Sequence, residues 1–171
     1  GARVPAPQGR SRDYQGGVQQ QSAPAAQQFG SERLHAMDSP TLLADGVRRP
    51  VSGSGHGQYL EGFDQALTQR LGSFARQQKV TLNTVLQAAW ALLLQRYCAQ
   101  QCVIFGATVA GRSAPLPGIE QQLGLFINTL PIIAAPHAGQ SVAQWLNDLQ
   151  ALNLSLREFE HVPLYDIQGW A

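Results

Sequence analysis

Val80-Thr81-Leu82-Asn83-Thr84-Val85-Leu86-Gln87-Ala88-Ala89-Trp90-Ala91-Leu92-Leu93-Leu94 opens with a hydroxyl that can cap a helix and continues with apolar residues in nearly every direction. Thr81 is the expected cap, and the apolar circumference predicts a helix buried on most sides. The run stops short of the ~20 residues a membrane helix needs, and Gln87 interrupts it. The segment before it is of another kind. Asp64 precedes Leu67, Leu71, Phe74 and Ala75 at helical spacing, which predicts a one-faced helix ending near Lys79. Before Asp64, Tyr59, Glu61 and Phe63 alternate with Gln58, Leu60 and Gly62, the pattern of a short strand.

Downstream, Cys102-Val103-Ile104-Phe105 begins a strand towards Val109, and the stretch from Gly111 to Gly118, with Pro115 and Pro117, is a loop. Leu125 to Ile133 reads as a second buried strand. Pro131 has no N–H, so the strand must be an edge or be interrupted there. Ser141 and Gln144 form an S-x-x-Q capping box for the longest helix, with Val142, Trp145, Leu146, Leu149, Leu152, Leu156 and Phe159 on its face. Pro163 ends it, and Leu164 to Trp170 can make a short terminal helix. At the other end, residues 1–24 are a Gly-, Pro- and Gln-rich tail, a helix of about 24–37 starts at Pro24 with Ser22 as its cap, and 38–57 is a loop. The order of helix, strand, helix, helix, strand, strand, helix implies an α/β fold, a mixed sheet covered by helices in a two-layer sandwich. At 171 residues, one core is the expected arrangement.

Composition removes several functional classes. Twelve Lys and Arg against eleven Asp and Glu leave no basic excess for a phosphate backbone or an anionic bilayer, so neither nucleic acid nor membrane is an expected partner. Cys98 and Cys102 are too few for a structural zinc site and read as reduced thiols of a cytoplasmic protein; no secretory signal opens the chain. His35, His56, His137 and His161 include no pair at i, i+4, so no metal site is expected. Gly53-Ser54-Gly55-His56-Gly57 precedes a strand pattern rather than opening a helix, so it is a flexible entry loop and not a phosphate cradle. Glu158 and Glu160 point to different sides of a helix, and no complete catalytic set is present. His161 is the histidine to watch, between the long helix and Pro163.

Three blocks taken together resemble the condensation domains of nonribosomal peptide synthetases. Val80 to Leu94 is similar to a family helix and is followed by Val103-Ile104-Phe105-Gly106 and Val109-Ala110-Gly111-Arg112. Leu123-Gly124-Leu125-Phe126-Ile127-Asn128-Thr129-Leu130-Pro131 resembles the family's GxFxNTLP motif, and His161-Val162-Pro163-Leu164-Tyr165-Asp166-Ile167 the motif written VPLYEI or QDVPFE in different members. The resemblance implies one lobe of a chloramphenicol acetyltransferase-like fold, in which two α/β lobes meet around a tunnel. Residues 1–56 would be a linker and bridging segment, and 57–171 an incomplete C-terminal lobe.

The implied reaction joins two substrates carried on phosphopantetheine by amide bond formation, with no cofactor bound directly. The implied partners are peptidyl carrier protein domains, the missing N-terminal lobe and an adenylation domain. Asn128, Thr129, Arg112, His161 and Tyr165 become candidates for the tunnel wall. The family's HHxxxDG motif has no counterpart: the only Asp-Gly pair is Asp45-Gly46, and Pro40 and Thr41 stand where the histidines would be. No catalytic residue is therefore expected in this chain, and the chain alone should be inactive. Ser11 and Gly17 also stand where aromatics are usual, and Gly30 where a second aromatic would follow Phe29. Solubility engineering and degeneration of an unused domain are both open explanations, and unpaired sheet edges could allow self-association. Two further functions are a carrier-protein docking module without chemistry, and a coenzyme A- or carrier-dependent acyltransferase of the same fold.

Overall fold

In a computed structural model, residues 23–34, 39–43, 57–110 and 127–169 are described. The elements are α1 (Ala23–Leu34), α2 (Gln65–Gln77), α3 (Leu82–Cys98), β1 (Val103–Val109), β2 (Asn128–Ala134), α4 (Val142–Leu156), a 3₁₀ turn (Arg157–Phe159) and α5 (Leu164–Gln168). β1 and β2 pair in a two-stranded sheet. Both strands are edges among the described residues, which is how β2 runs through Pro131 without losing a ladder bond it could not make. The expected loops at 44–56 and 111–118 and the tail before Ala23 lie outside the described residues.

Where the length suggests a single core, the chain groups into two compact units. One comprises 1–38, 105–133 and 154–171, the other 39–104 and 134–153. In the first, Leu130, Ile132, Leu156, Val162 and Ile167 are buried, and α1 packs on α5. The second buries Ala75, Val80, Ala88, Ala91, Leu94, Val103, Trp145, Leu146 and Leu149.

Local signals explain most boundaries. The Asp64 carboxylate accepts from Leu67 N at 2.7 Å and starts α2. That helix ends in a Schellman turn: Lys79 adopts φ 57°, Lys79 N reaches Arg76 O, Val80 N reaches Ala75 O, and Val80 is buried. Thr81 Oγ1 accepts from Thr84 N at 3.1 Å and starts α3, which stops at Ala99 in the left-handed region. Ahead of α4 the capping box is reciprocal, with Gln144 N donating to Ser141 Oγ at 3.2 Å and Ser141 N to Gln144 Oε1 at 2.9 Å. Ser141→Ala removes half of it and is expected to cost about 0.5–2 kcal/mol, measured as a lower denaturant midpoint. An unchanged midpoint would mean that α4 is held by packing alone.

Three sequence expectations are corrected. The strand pattern at Gln58 to Phe63 forms no strand; residues 57–64 are exposed, with Tyr59 85% and Leu60 83% accessible. Alternation places Tyr59 and Glu61 on one side, where the phenol donates to the carboxylate, but a strand also needs a neighbour to complete its ladder. Secondly, α3 is not buried on most sides. Thr84, Ala88, Ala91 and Leu94 are covered, whereas Leu82, Leu86, Trp90, Leu93 and Tyr97 form an exposed stripe on the opposite face. Composition gives the apolar circumference, and burial requires elements on both sides. Thirdly, α4 tightens into the 3₁₀ turn after Leu156 instead of continuing to Phe159, and Val142 in its first turn is exposed. The expected continuation of α1 from Leu34 to Met37 lies outside the described residues.

A polar seam ties α3 to α4. Thr84 has no exposed surface, yet its hydroxyl donates to Gln150 Oε1 at 2.7 Å and accepts from Asn153 Nδ2 at 3.3 Å. Asn153 also donates to Gln87 Oε1 at 2.7 Å, and Thr81 N donates to Gln150 Oε1 at 3.1 Å. Gln87, which interrupts the apolar run in the sequence, is thus part of a helix-to-helix contact. Pro40 and Thr41 have backbone-holding roles: Pro40 O accepts from Gln100 Nε2 at 3.0 Å, and Thr41 Oγ1 from Ile104 N at 2.9 Å.

Candidate functional site

The first unit brings the beginning of β2 against the turn that precedes α5. Asn128 is the first residue of β2, and its carboxamide spans that junction. Its Nδ2 donates to Glu160 O at 2.9 Å and to Val162 O at 2.6 Å, while its Oδ1 accepts from Thr129 N at 2.8 Å. Both N–H groups are committed, so the side chain bridges two parts of the backbone. The carbonyls it grips flank one residue, His161.

Thr129 sits beside β1. A Cβ built on Gly106 would lie 2.8 Å from Thr129 Cγ2, closer than such atoms approach, so a side chain at 106 would force Thr129 or the strands to shift. Sequence reading includes Gly106 in a family block without assigning it this part. An isolated glycine inside a strand pattern is the available signal.

His161 is half-buried, and burial pushes its imidazole below the ordinary histidine value of 6.5; a bond to the backbone of Glu158 opposes the shift. Neutral imidazole is therefore favoured near pH 7 and keeps a lone pair for a proton or an amine. A depressed folded value means that the neutral ring's contribution to stability is present above about 6.5 and is lost as pH falls through the folded value. Ring resonances of His161 should titrate with a midpoint below 6.5, and His161→Gln should flatten the decline in stability on acidification. A midpoint at or above 6.5 would contradict the burial.

Tyr165 is 72% exposed on α5, whose N-cap is Pro163. Asn128, by contrast, is bonded to Thr129 N and to the carbonyls on either side of His161. Arg112 lies outside the described residues. Glu160, set aside in the sequence as half of an unconvincing carboxylate pair, is buried, and its carbonyl is one of the two held by Asn128. Among the described residues no group of three His, Cys, Asp or Glu could hold a metal ion, and no disulfide forms between Cys98 and Cys102. No helix among them is long and apolar enough to cross a membrane.

The family model described as "Condensation domain" matches residues 2–170. This chain belongs to the condensation-domain family. The condensation domain is 45% identical over 161 residues to a linear gramicidin synthase of Brevibacillus parabrevis, covering 90% of this chain and 2% of that protein. It is 38% identical over 158 residues to the chondramide synthase cmdD of Chondromyces crocatus, covering 92% of this chain and 4% of that one. The chain thus spans only a few per cent of the length of these relatives, which are far larger proteins. In structure it is similar to the first condensation domain of the calcium-dependent antibiotic synthetase, with a TM-score of 0.74 at 20% identity over 99% of this chain and 38% of that one. That likeness supports the chloramphenicol acetyltransferase-like α/β fold expected from the sequence blocks.

Proposed function

We propose that this condensation-domain chain serves amide bond formation in a nonribosomal peptide synthetase, as part of the wall of its substrate tunnel. The match of the family model across residues 2–170 carries the reading. In the reaction, the amine of an acceptor attacks the thioester carbonyl of a donor. A C–N bond forms, the C–S bond breaks, the amine loses a proton and the donor's carrier leaves as a thiol. Both substrates would arrive on phosphopantetheine arms of peptidyl carrier proteins, so the protein's task is alignment in a channel that excludes water. Asn128, Thr129, Arg112, His161 and Tyr165 are the residues assigned to that channel. Of these, His161 is suited to receive or steer the amine because burial favours its neutral form.

The first 56 residues are assigned to a bridging segment and 57–171 to part of the C-terminal lobe. Carrier domains, an adenylation domain and the N-terminal lobe of the same condensation domain complete the assembly, placed in the cytoplasm. The sequence supplies no HHxxxDG motif, and general acid–base catalysis typically contributes about 10²–10⁴-fold. The chain alone should therefore give no peptide product from two loaded carrier proteins, whereas the parent synthetase should. Product above the uncatalysed background from the chain alone would overturn its assignment as an incomplete reaction chamber. Titration with a phosphopantetheinylated carrier protein separates docking from chemistry.

A further inference from the structure

The family motif assigns Asn128 to the tunnel wall, yet the geometry gives its side chain different work. A residue that recognises substrate keeps polar atoms available. Asn128 has both donors and one acceptor position engaged within the protein.

We propose that Asn128 is a positioning residue whose carboxamide pins the backbone on both sides of His161 and so fixes how that imidazole is presented to the reacting amine. The proposal rests on the reading of His161 as a channel residue and adds how it is held. The chain leaves α4 through a 3₁₀ turn and a bend before Pro163. Asn128 donates to two carbonyls of that segment, Glu160 O and Val162 O, from the start of a strand whose next residue, Thr129, lies close to Gly106. Within the turn, Val162 N donates to Phe159 O at 2.9 Å, and the His161 ring bonds the backbone of Glu158. Movement of the 160–162 backbone therefore moves the ring.

The brace can be tested first without a variant. In the 171-residue chain, the Asn128 side-chain amide protons should exchange with solvent at least about tenfold more slowly than those of an exposed asparagine. N128D then keeps the shape but cannot donate while ionised. Val162 N–H should exchange about ten- to a hundredfold faster in it, and the His161 ring resonances should shift. An Asn128 amide exchanging at the free rate would overturn the brace, as would a folded N128D with unchanged Val162 exchange and ring resonances. If N128D does not fold, the wild-type amide measurement decides.

The functional half is read in the parent synthetase, comparing N128D with His161→Ala on two loaded carriers. Both should lower kcat by more than they raise KM. If the brace holds but His161→Ala leaves amide formation at the wild-type rate, the channel reading of His161 falls and the positioning role falls with it. Loss of activity in His161→Ala alone, with N128D at the wild-type rate, would leave the channel reading standing and overturn the positioning role.

Discussion

Leu149→Ala is expected to lower the stability of the chain by about 2–5 kcal/mol, seen as a fall in the urea midpoint at unchanged slope. Leu149 lies in the third turn of α4 and is 1% exposed. Truncation there loses the transfer free energy of the removed atoms and leaves a cavity that a close-packed interior fills only in part. Leu154, in the same helix but 51% exposed, is the internal control: Leu154→Ala should stay within about 0.5 kcal/mol. Equal effects at the two positions would mean that α4 does not present the face described. The contrast tests orientation as well as stability, because both changes remove the same atoms from the same helix.

The second large effect is expected at the polar seam. Thr84→Val preserves the branched shape but removes a hydroxyl that donates to Gln150 and accepts from Asn153. Since Thr84 is completely buried, water cannot replace the lost partner, and leaving a buried polar group unmade costs about 1–3 kcal/mol. A double-mutant cycle with Gln150→Leu assigns the loss. Thr84→Val should cost less in the Gln150→Leu background, where the bond between them is already gone, although Gln150 Oε1 also accepts from Thr81 N; additive losses would place the effect in general packing instead.

The legible parts of this fold are those whose cause is local. Asp64, Thr81 and the Ser141–Gln144 pair announce helix starts because the side chains that name them also satisfy the first N–H groups. Leu146 and Leu149 fall on the expected face of α4 because helical periodicity alone decides which residues point together. The missed features depend on what stands opposite. Tyr59 to Phe63 has a strand's alternation, but a ladder partner is not encoded in the strand itself. Likewise, the leucines and Trp90 on the outer face of α3 have a core-like composition, yet packing covers only the Thr84 face.

The candidate site divides along the same line. The Asn-Thr-Leu-Pro block draws attention to Asn128 and Thr129, and the His-Val-Pro block to His161. That the first holds the second is a contact across more than thirty positions, invisible to spacing. Arg112 lies outside the described residues, and Tyr165 stands out for its motif rather than for any geometry that periodicity could supply. Gly106 is within reach of sequence reasoning, since a glycine between Phe105 and Ala107 weakens a strand unless another group needs the room.

Asn128 takes hold of main-chain oxygens, which every amino acid possesses, and leaves the histidine's own atoms alone. Frame and displayed group are therefore separable. A different side chain can occupy position 161 without loosening the fastening, giving evolution or a protein engineer a site where chemistry is exchangeable while the mount stays fixed.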